Sequence, residues 1–171
     1  MKIKIGKYPK HWPWSNWLLN VFGYEATQTV KIKIDPWDTW SMDHTLAPII
    51  LPMLVQLKAT KNGAPYVYPE DVPSNLRPTK KELTAYTKNG ETDSKFFDRW
   101  DYVLNEIIWA FEQKCRDDWQ DDYYGPYVED QKNGSMVGSF EWTDDEGRQA
   151  HQERMTNGFK LFGKYYESLW D

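Results

Sequence analysis

The stretch DTWSMDHTLAPIILPML, residues 38–54, leads into the longest apolar run of the chain, residues 46–57. Asp43 suits the first turn of a helix, because the helix dipole favours negative charge there. From residue 46 onward apolar side chains point in almost every direction around the helix axis, which is typical of a buried helix. Pro48 and Pro52 stand one turn apart, and each removes a backbone hydrogen bond. We therefore predict a central, proline-kinked helix that is buried on all sides.

Length and charge limit the classes of protein to consider. The chain has 171 residues, enough for one domain with a full core, so we predict a single domain spanning residues 1–171. The formal net charge is -5, whereas general nucleic-acid-binding domains are usually basic. We therefore expect no general nucleic-acid binding. The 10 Trp and 11 Tyr residues fit either an aromatic core or ring stacking on a ligand.

The sequence also predicts the cellular compartment, from the single cysteine, the first five residues and the length of the apolar run. A single cysteine, Cys115, cannot form an internal disulfide, which fits a reducing compartment. The first residues, Met-Lys-Ile-Lys-Ile, do not form the apolar region of a signal peptide. Residues 46–57 are too few to cross a bilayer. We expect a soluble intracellular protein without a membrane partner.

The tetrapeptide KIKI occurs twice, at residues 2–5 and 31–34, and alternates strictly, as half-buried strands do. A loop and a short helix at residues 15–23 are predicted between the copies. A strand, a helix and a strand in this order favour parallel pairing, although an antiparallel pair stays open. If the strands adjoin, their four lysines share one surface. The expected fold class is α+β, mainly helical, with a small N-terminal strand element.

The rest of the chain contains two further predicted helices. Residues 61–94 are rich in Pro, Gly, Lys and Thr, and we predict a long, partly mobile surface excursion. Residues 96–115 carry an apolar stripe at helical spacing, with Tyr102 and Trp109 on the opposite face. That aromatic pair needs a cover, which the excursion, a second subunit or a ligand could provide.

The C-terminal third is predicted as an acidic turn at residues 117–122, a loop at 125–138, a short strand at 139–142 and a last helix at 145–170. Thr143 is a plausible cap of that helix. Gly158 lies on its apolar stripe, where it permits the close approach of another backbone.

Two places break the apolar pattern and together define a candidate site. Asp43 and His44 stand at the entrance of the central helix, and Trp40 precedes them. On the last helix, the core-facing stripe continues backward into polar residues. These residues are Arg148, His151 and Gln152. Since an unpaired polar group in a core costs roughly 1–3 kcal/mol, we predict that the two groups meet, either in a small pocket or in an internal hydrogen-bonded cluster.

The chemistry of these residues suits an anion that carries a flat ring. Arg forks to phosphate, a helix start offers N–H groups, and Trp stacks on a base. We find no Gly-rich phosphate loop, nucleophile elbow or His-Glu-x-x-His pattern, so no catalytic residue, metal or cofactor is predicted. Two histidines and the acids Asp43, Glu106 and Glu153, although they lie on different segments, leave metal-assisted hydrolysis as an alternative.

Three blocks carry a resemblance to short, uncharacterised proteins encoded by tailed bacteriophages. They are WSMDHTLAPIILPML at residues 40–54, RWDYVLNE with IWAFE at 99–112, and HQERMTNGFKLFGKYY at 151–166. The Glu-Asp-Val-Pro segment at 70–73 also fits. The resemblance implies a phage origin and expression in the host cytoplasm. It supplies no functional residues.

These observations lead to three hypotheses about function. The first is a non-enzymatic phage accessory protein that binds a small anionic, nucleotide-like ligand and so sequesters a host defence signal. The second is a hydrolase of such a nucleotide. The third is a protein–protein interaction or inhibitor module, and a homo-oligomer is possible in each case.

Overall fold

The computed structural model describes residues 1–6, 28–116, 118–132 and 135–170, and in residues 126–132 and 135–141 only the backbone. The helix predicted at 15–23 lies outside the described residues. The chain forms two compact units, residues 1–45 and 46–171, and the single domain stays a prediction.

The first unit contains an antiparallel pair of strands, β1 (Lys2–Ile5) and β2 (Val30–Lys33). The parallel pairing favoured by the sequence is therefore wrong. Lys2 is opposite Lys33 and Lys4 is opposite Lys31, so that the four lysines share one face, as predicted for adjoining strands. A short 3-10 turn, Pro36–Thr39, follows β2.

Helix α1 (Met42–Thr60) begins in the first unit and continues through both prolines into the second. Its buried residues are Ala47 and Leu54, and Ile50, Leu51 and Leu57 pack partly against the core. Met53, by contrast, is 64% exposed. The prediction of burial on all sides is thus wrong. Apolar side chains are buried along one stripe of α1, and the sequence pattern alone does not distinguish that stripe from the exposed positions.

Residues 61–94 are more than a surface excursion. They contain a ten-residue helix, α2 (Lys80–Asn89), which starts at a capping box of Thr79 and Glu82 and ends at Gly90 with a φ of 71°. Val67 and Val72 of the same segment are buried in the core. The Lys- and Thr-rich composition concealed this helix, because capping rather than an apolar stripe defines it.

The C-terminal end of the chain holds this segment in place. The Tyr165 hydroxyl donates to Oδ2 of Asp71 at 2.6 Å and accepts the backbone N–H of Tyr68 at 3.0 Å. Lys164 adds an ion pair with Asp71 at 2.6 Å. Burial, together with the acceptor Asp71, raises the pKa of Tyr165 well above its ordinary range, so that this hydroxyl keeps its proton.

The core of the second unit is the packing of α3 (Phe96–Cys115) on α4 (Asp145–Lys164). The bounds of α3 match the prediction. Six of its buried apolar side chains fall on the predicted stripe, namely Trp100, Val103, Leu104, Ile107, Ile108 and Phe111. Phe97, also predicted on that stripe, is 49% exposed, and Phe96 and Ala110 are buried instead. The predicted last helix ends as an α-helix at Lys164, and Asp144 rather than Thr143 accepts the N–H of Gly147 at 2.8 Å.

Gly158 lets α4 approach α3, as predicted. A Cβ built on Gly158 would lie 2.4 Å from Cβ of Ala110 and 2.6 Å from the carbonyl oxygen of Glu106. The two backbones are therefore too close there for any side chain, and glycine is required by contact rather than by its own conformation.

The loop predicted at residues 125–138 is instead part of an antiparallel strand pair. Strands β3 (Tyr124–Lys132) and β4 (Ser135–Trp142) pair from Tyr124 opposite Trp142 to Lys132 opposite Ser135. The rings of Tyr124 and Trp142 stack at 4.2 Å where the ladder begins. Four helices and two small strand pairs in the described residues confirm the mainly helical α+β fold. No helix in the described ranges has the length and apolarity needed to cross a membrane.

Candidate functional site

The 3-10 turn Pro36–Thr39 presents two tryptophans of the first unit to solvent. Asp35 caps the turn by accepting the N–H of Trp37 at 3.1 Å, and Asp38 accepts the N–H of Asp35 at 2.7 Å. Pro36 fits the first position, where no N–H is needed. This reciprocal capping fixes the backbone that carries Trp37 and Trp40.

The amino terminus holds the same turn against the strand pair. The Met1 ammonium donates to Oδ1 of Asp38 at 2.6 Å. That hydrogen bond and the one from the Asp35 N–H lower the pKa of the Asp38 carboxyl below its ordinary value. Asp38 is therefore a charged partner of two donors, and its carboxylate is already engaged.

A pocket of about 320 Å³ opens beside the turn, lined by Trp37, Trp40, Ser41, His44 and Thr45. The two indole rings lie 6.1 Å apart at 43° and are 78% and 82% exposed. An exposed aromatic pair of this kind offers faces on which a flat ring can stack.

The start of α1 forms the polar wall of the pocket. The Thr45 hydroxyl donates to the carbonyl oxygens of Asp38 at 3.0 Å and Ser41 at 3.2 Å, which joins the turn to the helix. Nε2 of His44 lies 4.0 Å from Oδ2 of Asp43. Imidazole, hydroxyl and helix N-terminus are groups that bind phosphate or carboxylate oxygens.

Of the predicted site residues, Trp40 and His44 line this one pocket, and Asp43 adjoins His44. Trp37 was missed by the sequence analysis, as were the lining roles of Ser41 and Thr45. The segment Asp35-Pro36-Trp37-Asp38 was the available signal, because Asp-Pro followed by Asp three residues on predicts a capped turn.

Arg148, predicted to face the core, instead contacts a residue of its own helix and one of the preceding strand β4. Its guanidinium donates to Oδ1 of Asp145 at 2.7 and 2.9 Å. The same group lies over the Trp142 ring at 4.3 Å. Gln152, also predicted on the core face, is exposed and donates to the Thr156 hydroxyl at 3.3 Å. Neither side chain is a buried polar group that needs a distant partner.

His151 lies in an aromatic cluster formed with Trp109, Trp119 and Tyr123. Its ring stacks on Trp119 at 4.6 Å and 14°, and Nδ1 lies 3.0 Å from the Tyr123 hydroxyl. Nε2 is buried, and it has no hydrogen-bond partner among the described residues. Burial lowers the pKa of His151, and this effect outweighs the opposing charge of Asp122. The neutral imidazole is therefore the stable form here.

An ion pair between α3 and α4 escaped the sequence analysis. Arg154 donates to both oxygens of Glu106, at 2.8 and 2.9 Å, and its guanidinium covers the Trp109 ring at 4.0 Å. Trp109 is thus covered by α4. The predicted covers were residues 61–94, a second subunit or a ligand. Arg154 lies off the apolar stripe of its helix, so helical periodicity gave no sign of this pairing.

Each group of predicted residues is thus located within its own unit. Trp40, Asp43 and His44 belong to the first unit, and Arg148, His151 and Gln152 belong to the second. The joint pocket of the two groups stays a prediction. Among the described residues, no cluster of three His, Cys, Asp or Glu side chains is arranged to hold a metal ion.

Comparison with known proteins adds no assignment, because no protein-family model, curated protein or solved structure matches this chain.

Proposed function

We propose that this protein binds a small anionic, nucleotide-like ligand in the pocket of Trp37 and Trp40. The observation that carries the proposal is the pair of tryptophans, 78% and 82% exposed, which line one pocket with Ser41, His44 and Thr45. Large apolar rings left in water are costly unless a partner covers them. A flat heterocycle would stack on the indoles, and the polar wall would receive the anionic group.

The proposal extends to a biological role through the bacteriophage resemblance. A phage accessory protein in the host cytoplasm that retains such a ligand without cleaving it would remove a defence signal from solution. A hydrolase would use the same pocket but would release altered ligand. The two hypotheses therefore differ in the fate of the ligand rather than in the site.

A second candidate function is a protein–protein interaction module. The observation that favours it is the exposure of Trp37 and Trp40 together with neighbouring Met42, which is 57% exposed. Trp, Met and other large side chains are enriched where protein partners bind. A protein partner would cover the same tryptophans but would not depend on a heterocycle or a phosphate.

Calorimetric titration with nucleoside mono-, di- and triphosphates tests the proposal. We expect binding that Trp40→Ala weakens by about 1–3 kcal/mol, the usual contribution of one stacked base. Trp170→Ala is the matched control, since Trp170 is also exposed, at 61%, and lies at the opposite end of the sequence. Intact nucleotide recovered after denaturation supports a binder, whereas cleaved nucleotide supports the hydrolase. Absence of heat with every nucleotide would contradict the proposal and leave the protein-partner function.

A further inference from the structure

The lysine face of the β1–β2 pair has no partner within the described structure. Lys2, Lys4, Lys31 and Lys33 are exposed, and among the residues that the structure describes none of them forms an ion pair. Directly opposed side chains of an antiparallel pair lie roughly 5 Å apart at Cβ, where like charges destabilise the sheet. Two opposed lysine pairs therefore carry a repulsion that a bound polyanion would relieve.

Charge is distributed unevenly along the sequence. Residues 1–45 contain six lysines and four acidic residues, which gives a formal charge of +2. Residues 46–171 contain fifteen basic and twenty-two acidic residues, which gives a formal charge of -7. Two of the four acids, Asp35 and Asp38, already accept hydrogen bonds within the 3-10 turn. The net charge of -5 thus conceals a first unit that attracts anions.

The lysine face and the tryptophan pocket are close along the chain. Trp37 follows Lys33 by four residues, which span at most about 14 Å when fully extended. The bond from the Met1 ammonium to Asp38 holds the Lys2 end of β1 at the same turn. A few linked nucleotides would suffice to bring phosphates to the lysines and bases to the indoles.

We propose that the first unit binds a short single-stranded oligonucleotide, with bases stacked on Trp37 and Trp40 and phosphates on Lys2, Lys4, Lys31 and Lys33. The inference rests on the proposed function and specifies its ligand class. Lysines along a backbone with aromatic side chains for the bases are the usual means of binding single strands. The acidic remainder of the chain gives no attraction to a longer strand, so the ligand is a short one.

Fluorescence anisotropy with a 5′-labelled tetrathymidylate measures the affinity of the full chain at several salt concentrations. For four phosphate contacts we expect a slope of log K against log salt of about -3. The variant Lys2→Gln/Lys4→Gln/Lys31→Gln/Lys33→Gln should lose at least tenfold in affinity and flatten the slope. Trp37→Ala/Trp40→Ala should lower the affinity and keep the slope, because stacking releases no counterions.

In a matched control, Gln replaces four other exposed lysines, at positions 80, 81, 88 and 160. It changes the net charge equally, and we expect less than a threefold effect on affinity. Circular dichroism melts verify that each variant is folded. An equal loss in the control and the site variant would overturn the inference, since the attraction would then come from net charge alone.

Two further outcomes separate this inference from the proposed function. If mononucleotides bind through Trp40 and the four-lysine variant binds tetrathymidylate as the wild type does, the oligonucleotide inference fails and the proposed function stands. If neither mononucleotide nor oligonucleotide binds, both fail. Self-association of the four-lysine variant without any change in binding would assign these lysines to protection of the strand edges, and would also overturn the inference.

Discussion

At the scale of single residues, Gly158 sets the distance between α3 and α4. An added methyl group would overlap Ala110 and the Glu106 carbonyl. Gly158→Ala should therefore destabilise the protein by up to about 2 kcal/mol, because overpacking of about 1–3 kcal/mol is only partly offset by the gain of about 1 kcal/mol in helix propensity. Urea titration followed by circular dichroism measures the change.

Gly163→Ala is the control for this prediction, since Gly163 lies on the same helix with no atom within 4 Å of an added Cβ. It should be neutral or stabilising by up to about 1 kcal/mol. Replacing Ala110 with Gly in the Gly158→Ala variant should recover part of the loss. Equal effects at positions 158 and 163 would show that the helices do not meet at Gly158.

His151 makes stability depend on pH. Its folded-state pKa is lowered by burial, whereas the unfolded chain has an ordinary value near 6.5, so the unfolded state takes up the proton first. Stability should thus be full above about pH 6.5 and fall as pH decreases below it. Asp122 opposes this effect, while Arg116 and Arg154 reinforce it.

Urea titrations at pH 7.5 and 5.5 measure the loss, with His151→Phe as the test variant. Phe can keep the stacking on Trp119 but cannot be protonated, so the pH dependence in this window should shrink. Carboxylates with lowered pKa values, such as Asp93 and Asp145, are protonated at lower pH. A pH dependence unchanged in His151→Phe would contradict the assignment.

At the scale of elements, the sequence predicts correctly those helices that are defined by one pattern of apolar residues. Helix α3 is defined by one wide apolar stripe, and its two ends were predicted correctly. Helix α2, strand β3 and the first half of β4 were missed, because capping and cross-strand pairing define them rather than periodicity, whereas the short strand predicted at 139–142 is the second half of β4. For the candidate site, Trp40 and His44 were predicted from their place at the entrance of an apolar helix, and both line one pocket. The Arg154–Glu106 pair depends on tertiary packing that no spacing reveals.

Helix α1 shows the limit of reading burial from composition. Leu54 is 3% exposed, and its neighbour Met53 is 64% exposed. Leu54→Asp should abolish cooperative unfolding, because it buries an unpaired charge. Met53→Asp should be tolerated, because this side chain is exposed. If α1 were buried on all sides, both substitutions would unfold the protein. Thermal melts of the two variants decide between these cases, and unfolding of Met53→Asp would restore the original prediction.

At the scale of the whole molecule, the core and the proposed ligand site belong to different units. Every residue of the two apolar clusters lies in residues 46–171. The lysine face, Trp37 and Trp40 lie in residues 1–45. We therefore expect that substitutions in the proposed binding surface leave the packing of α3 on α4 undisturbed.

A fragment of residues 41–171 tests that separation, since it keeps all of α1 together with both apolar clusters. We expect it to retain a cooperative melt and a helical circular dichroism spectrum, because the burial that opposes chain entropy is kept. It should fail to bind tetrathymidylate, because it lacks the four lysines and both tryptophans of the pocket. The full chain measured under the same conditions is the control. An unfolded fragment would show that residues 1–40 are needed for the core, and a folded fragment that still binds would place the ligand site in the second unit.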